Sequence, residues 1–337
     1  MNTKRRQFIN FSLVWLAYCS TYFIRKNREN KFVKPLGVVK TVLGMELGLN
    51  MSELGWLDVA AILPYAAVQI GYPGLSSKYG AQITLRICLV GAAVSSVFSS
   101  LVSSFSTLVL ALLFTGVFLA PCWPACSLLL STWFPSSKHN FVFGLINTAT
   151  YSGGLGGTAL ATALLQYSGW RSVFLAPALL AVLVSVFLLC ILPIQSENIV
   201  RVSASGEKLS SSLGSNSNQP SLVKIPAVRE LCICMFCLKF VRYFMYMWLP
   251  LYLVQHLEYS ALQAGFMSTL FDIGGIFGSP LLGILLDKWF SHAPMKPVSI
   301  VMMAGVLSLA LFIITSTWGR LFNGKYCHFV RQGFINY

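Results

Sequence analysis

Apolar residues in this chain arrive in blocks about 20 long, separated by short polar or Gly- and Pro-containing stretches. The blocks lie at roughly 8–25, 53–76, 84–104, 106–130, 141–165, 172–193, 230–254, 263–286 and 298–318. A helix rises 1.5 Å per residue, so about 20 residues cross a hydrocarbon core ~30 Å thick. A soluble amphipathic helix would show a polar face at helical period, and these blocks show almost none. The pattern predicts an all-α polytopic membrane protein of roughly nine spans.

One break in the rhythm stands out. Residues 194–228 are Ser-rich and polar, the composition of a flexible linker. They separate six blocks from the three that follow. The expected organisation is a six-helix N-terminal half over 1–193, a cytoplasmic linker over 194–228, a partial second half of about three helices over 229–318, and an atypical tail over 319–337. Six spans, a long polar loop and further spans is the layout of proteins built from two six-helix halves.

Composition sharpens the class: 56% of residues are hydrophobic, only 10% are charged, and mean hydropathy is +0.70. The net charge of +14 would suggest nucleic acid in a soluble chain. Here it follows the rule that cytoplasmic loops collect Lys and Arg. With the N-terminus inside, Lys4, Arg5, Arg6, Lys78, Arg86, Lys138, Arg201, Lys208, Lys224, Arg229, Lys288 and Lys296 all fall on the cytoplasmic side. The exception is "RKNRENKFVKPLGVVK" at 25–40, a basic cluster on the opposite side. "MNTKRR" looks like the start of a signal peptide, but the apolar run after it is too long and lacks a small-residue cleavage site. It reads as the first span.

The nine cysteines are expected to be packing residues. "CICMFC" (Cys232, Cys234, Cys237) resembles a metal cluster, but on a helix Cys232 and Cys234 point about 200° apart. Asn50, in "NMS", is a glycosylation sequon close to the second span.

Charged groups inside spans are functional candidates by default. Tyr18, Tyr22 and Arg25 share one face of the first helix. Lys239 and Arg242 lie inside the seventh block, and Asp272 midway through the eighth, in "TLFDIGGIFGSP". A guanidinium forks bidentately onto phosphate or carboxylate and keeps its proton. Arg25 and Arg242, one in the first helix of each half, could therefore form a cationic clamp at the midplane. The bland alternatives are that Arg25 snorkels to the headgroups and that Arg242 pairs with Asp272 to hold the helices together. At the end of the eighth block, "GILLDKW" pairs Gly283 with Asp287 and Lys288; "GLSSKYG" (74–80) is its counterpart after the second block, with Ser77 where the Asp would be. The Gly permits close helix approach, and the Asp caps or pairs across a helix end.

These motifs resemble those of the organophosphate:phosphate antiporters, a branch of the major facilitator superfamily. "YCSTYFIRKN" is similar to their first helix, and "KFVRYFMYMWLPLYL" to their seventh. "CWPACSLLLSTWFP" keeps Trp123 and Pro124, with Trp133 and Phe134 ten residues on, and the fifth helix keeps Asn147 and "GGLGG" before "GWRSVF". "STLFDIGGIFGSPLLGILLDKW" looks most like the eukaryotic sugar-phosphate exchangers and plant-type glycerol-3-phosphate permeases. The resemblance runs from about residue 11 to 300.

It implies a major facilitator fold and exchange of an organic phosphate, such as glycerol-3-phosphate or hexose phosphate, for inorganic phosphate. It implies substrate contacts at Arg25, Arg242, Tyr18, Tyr22, Lys26, Asn147 and Trp123, with Asp272, Lys239, Asp287 and Lys288 in ion pairs and gating. It implies no cofactor, no metal, no nucleic acid and no enzymatic activity. The chain is expected as a monomer in a lipid bilayer, with the endoplasmic reticulum or another internal membrane among the sites allowed.

Three departures stand out. Thr150 and Gln69 replace a His and a Lys of bacterial members. "KNRENKFV" looks like an addition between Arg25 and Lys34–Pro35. The last three helices of the usual twelve are absent, so the competing reading is a truncated, transport-inactive membrane protein. A membrane-embedded phosphate-handling enzyme is the third. It needs a nucleophile or metal set beside the arginines, and His139, His256, His292 and His328 are predicted at span edges, in loops or in the tail, with no second His at ligand spacing.

Overall fold

The computed structural model describes residues 3–29, 48–191, 228–230, 232–241, 261–290, 297–311 and 314–315. Among them every regular element is helical. The helices are α1 (Thr3–Glu29), α2 (Met51–Tyr79), α3 (Ala81–Leu101), α4 (Phe105–Leu119), α5 (Cys122–Trp133), α6 (His139–Ser168) and α7 (Trp170–Ile191), with a short 3₁₀ turn at Ser136–Lys138 before α6. Further along the chain come α8 (232–241), α9 (Ala261–Trp289) and α10 (Pro297–Leu311).

The boundaries have local causes. α2 starts with a reciprocal capping box: the Glu53 amide donates to Asn50 Oδ1 at 2.9 Å, and the Asn50 amide to Glu53 Oε2 at 2.8 Å. Gly80 and Gly169 sit at φ 74° and 78°, a conformation that side chains resist, and turn the chain into α3 and α7. Pro121 has no N–H to donate, which separates α4 from α5 within what the hydropathy pattern reads as one span.

By length and composition alone, Ala81–Leu101, Phe105–Trp133 and Trp170–Ile191 can cross a membrane. α1, α6 and α9 run for 27, 30 and 29 residues.

The first six spans form one bundle. α1 packs on α6 and α7, α3 on α7 and α4, and α2 on α4. The main core joins Val14 and Ala17 of α1 to Leu85 and Leu89 of α3, Cys126 and Leu130 of α5, Ile146 of α6 and Leu188 of α7. Cys19, Cys88, Cys122 and Cys126 are buried free thiols at these contacts, where small residues let helices approach. In the second half, the Cys234 thiol lies 3.9 Å from Met302 Sδ, and Cys232 and Cys237 are exposed.

One end of the bundle ties its helix termini together with side chains. Gln7 Nε2 donates to the Trp133 carbonyl at 3.2 Å, at the end of α5. Arg86, buried, donates Nη2–H to the Leu188 carbonyl at 3.0 Å, in the last turn of α7. Both carbonyls belong to helix ends that have no acceptor-side partner of their own, and the arginine also opposes the negative end of the α7 dipole. Arg5, Arg6, Lys138 and Lys288 fall at this same end, which the positive-inside rule makes the cytoplasmic face. Among the described residues, α9 lies against α6.

Candidate functional site

The site is built on α1. Tyr18, Tyr22 and Arg25 follow at spacings of four and three, so they stack along one face. The Tyr18 and Tyr22 rings meet edge to face at 5.4 Å, with their hydroxyls 3.4 Å apart. Tyr18, buried, also packs on Trp123 of α5, ring centroids 5.1 Å apart. The lane runs from Trp123 through Tyr18 and Tyr22 to Arg25.

The guanidinium of Arg25 lies over two aromatic rings, 5.9 Å from the Tyr22 centroid and 5.1 Å from that of Tyr65, on α2. Each contact is worth about 0.5–1 kcal/mol at an exposed site and ~2 when desolvated. Arg25 is half-buried, so the larger effect is to hold the guanidinium in place. Tyr65 accepts a hydrogen bond from Gln69 Nε2 at 3.0 Å, and the same amide reaches the Ala120 carbonyl at 3.5 Å. Gln69 thus steadies the tyrosine that steadies the arginine.

α6 sets the depth of α1. A Cβ on Gly153 would lie 2.8 Å from both the Cys19 carbonyl oxygen and Tyr22 Cβ, and one on Gly156 would lie 2.9 Å from the Phe23 ring. Only glycine lets α1 come this close. Trp15 Nε1–H donates to Thr148 Oγ1 at 2.9 Å and pins the same pair of helices one turn below Tyr18.

The remaining predicted residues are spread over several helices. Asn147 lies on α6, half-buried, on the stripe with Asn140, Gly144 and Tyr151 that meets α9. Asp272 is half-buried on α9, and Lys239 is exposed on α8. Lys26 follows Arg25 on α1, its side chain outside the described residues; so is Arg242, and with it the proposed clamp partner. Lys288 is exposed at the end of α9.

Asp287, the neighbour of Lys288, reaches into the other half. Its Oδ1 accepts from Asn140 Nδ2 at 2.9 Å and its Oδ2 from the Phe141 amide at 2.8 Å. Phe141 is the third residue of α6, so its N–H is one of the four that a helix cannot satisfy internally. A carboxylate there also meets the positive end of the helix dipole. In this state the cytoplasmic ends of α6 and α9 are joined.

Sequence reasoning missed Tyr65, Trp15 and Tyr151 as parts of this arrangement. Tyr65 had a readable signal: a tyrosine one turn before Gln69 inside an apolar block, on one face with it. Trp15 and Tyr151 carry none beyond being aromatic.

The sequence model of the Major Facilitator Superfamily matches residues 14–327. An Arabidopsis thaliana protein named as glycerol-3-phosphate transporter 1 is 28% identical over 273 residues, covering 70% of this chain and 50% of the relative. The glucose-6-phosphate exchanger SLC37A2 of Mus musculus is 26% identical over 324 residues, covering 81% and 64%. The chain thus spans between half and two thirds of the length of these two relatives. Among solved structures, the proton:xylose symporter XylE superposes with a TM-score of 0.67 at 14% identity, covering 86% of this chain and 70% of that one. The human organic anion transporter MFSD10 superposes at 0.60 and 17% identity, covering 90% and 76%. Helices, aromatic lane and family match agree, and the chain is a multi-pass membrane protein that belongs to the Major Facilitator Superfamily.

Proposed function

We propose that the chain carries out secondary active exchange of an organic phosphate, glycerol-3-phosphate or a hexose phosphate, for inorganic phosphate by alternating access. The observation that carries this reading is Arg25, held over the rings of Tyr22 and Tyr65 at the end of an aromatic lane. A permanently charged planar fork suits a phosphate group. The hydroxyls of Tyr18 and Tyr22 and the Trp123 ring suit the polyol that carries it. The names of the relatives point to the same substrate class.

The organisation read from the sequence supports the mechanism: a six-helix half at 1–193, a linker at 194–228 and a partial second half at 229–318. Arg25, with Lys26 beside it, takes the phosphate from the first half; Arg242 takes it from the second. Asp272 holds Arg242 when the site is empty, and phosphate then replaces the carboxylate because both are charge-assisted partners of the same fork. Asn147 contributes an amide from α6, and Lys239, three residues before Arg242 in the sequence, adds a second cation. Asp287, beside Lys288, holds the cytoplasmic ends shut while the site faces the other way.

The test is exchange of labelled phosphate in proteoliposomes containing the full chain. Wild-type protein exchanges internal for external phosphate and is inhibited by glycerol-3-phosphate or hexose phosphate. Arg25→Lys and Arg242→Lys keep the charge, lose the fork and abolish exchange. Unchanged rates in both variants overturn the clamp, and no exchange by the wild-type chain overturns the function.

A further inference from the structure

α6 is gripped on two sides. Gly153 and Gly156 seat α1, whereas Asn140, Gly144 and Tyr151 face α9, about 170° round the helix. The α9 side forms a ladder. At the cytoplasmic end a Cβ on Gly283 would lie 2.8 Å from Phe141 Cα; above it Gly144 abuts Ser279 and Pro280; above that the Tyr151 ring lies against Gly275, too close to admit a Cβ there. The lower rungs are contacts between backbones. The Tyr151 rung is different, because it is one aromatic plate on a bare glycine.

Its position is also particular. Tyr151 falls near the midpoint of His139–Ser168 and Gly275 near the midpoint of Ala261–Trp289. Below this level the two helices are closed, down to the cap that Asp287 places on α6. A flat ring on a glycine lets one helix tilt over the other without unlocking interdigitated side chains, which a packed interface of larger residues would require. Because α6 is clasped to α1 by Gly153, Gly156 and the Trp15–Thr148 bond, a tilt at Tyr151 is felt at Tyr22 and Arg25.

We propose that the Tyr151–Gly275 pair is the pivot on which the two halves part, and that Tyr151 is a positioning residue acting through the α6–α9 contact and not through substrate. The proposal rests on the transport reading above for its purpose, but not for its test. The Phe141 amide is a built-in reporter, since its N–H is held by Asp287 only while the cytoplasmic ends are together.

Hydrogen–deuterium exchange of the peptide spanning Phe141 is measured in the full chain, for wild type, Gly275→Ala and Gly274→Ala. Both substitutions raise helix propensity equally, but a Cβ on Gly274 meets nothing within 4 Å. Gly275→Ala accelerates exchange by at least about fivefold, the scale of an overpacked contact, whereas Gly274→Ala leaves it unchanged. Tyr151→Ala added to Gly275→Ala restores protection, because the smaller side chain makes room.

In phosphate exchange, Gly275→Ala lowers the maximal rate with KM unchanged, the signature of a residue outside the binding contacts. Equal amide exchange in Gly275→Ala and Gly274→Ala overturns the pivot, as does a double variant no better than Gly275→Ala. If Gly275→Ala does not fold, rescue of folding by Tyr151→Ala supports the pair and failure of rescue overturns it. A wild-type chain that moves no phosphate sinks the transport reading alone, and the amide comparison still decides the pivot.

Discussion

Asp287→Asn isolates the charge of the contact that closes the cytoplasmic end. The substitution keeps the shape, and its Oδ1 can still accept from the Phe141 amide, as asparagine caps helices about as well as aspartate. What disappears is the carboxylate's attraction to the α6 N-terminus and the second acceptor, which now presents N–H groups to Asn140 Nδ2. The dipole interaction is worth about 0.3–1 kcal/mol near the surface, and a hydrogen bond to a charged group about 1.5–3. Asn140 is exposed and Asp287 half-buried, so water replaces part of this, and about 1–2 kcal/mol is lost from the closed state. That shifts the closed-to-open ratio by a factor of about 5–30.

The assay is the distance distribution between bio-orthogonal spin labels at Ser137 and Trp289, both exposed, the first in the 3₁₀ turn before α6 and the second at the end of α9. The longer-distance population grows in Asp287→Asn. It grows further in Asp287→Ala, which also strips the Phe141 amide of its acceptor. Added salt narrows the gap between wild type and Asp287→Asn, because part of what was lost is screened. Identical distributions in wild type and both variants would refute the view that this carboxylate joins the halves.

Two other outcomes follow from the site. Tyr65→Ala removes one of the two rings that hold the Arg25 guanidinium and raises the KM for phosphate by about 2–30-fold, the range of a cation–π contact between exposed and desolvated settings; Tyr65→Phe keeps the ring and stays within about twofold, so equal losses in the two would place the effect in the Gln69 hydrogen bond instead. Trp15→Phe deletes the bond to Thr148, costs about 0.5–1.5 kcal/mol and lowers the melting temperature measured by intrinsic fluorescence in detergent, with KM for phosphate unchanged.

The helix positions follow closely from the apolar blocks. α6 and α7, for example, occupy 139–168 and 170–191, against blocks at roughly 141–165 and 172–193. The blocks do not show the separation of α4 from α5, although Pro121 marks it. The stripe of Tyr18, Tyr22 and Arg25 was equally legible, because three side chains within seven residues are brought together by helical period alone.

Tertiary contacts behave differently. Periodicity places Asp287 at a helix end but cannot say which helix it caps, and its partners lie 147 and 146 residues away. Nor could it say that the second ring on Arg25, beside Tyr22, would come from α2, or that the aromatic on Gly275 would be Tyr151.

The division has one physical cause. Transfer from water to hydrocarbon is a property of each segment taken alone, and backbone groups in lipid must be satisfied within the segment. Membrane character, helix content and the face each helix shows are therefore written locally. Which helix lies against which, and at what register, depends on small residues that let backbones touch: Gly153 under Tyr22, Gly275 under Tyr151 and Gly283 against Phe141. A glycine in a sequence carries no mark of what will lie on it, and only the packed structure decides.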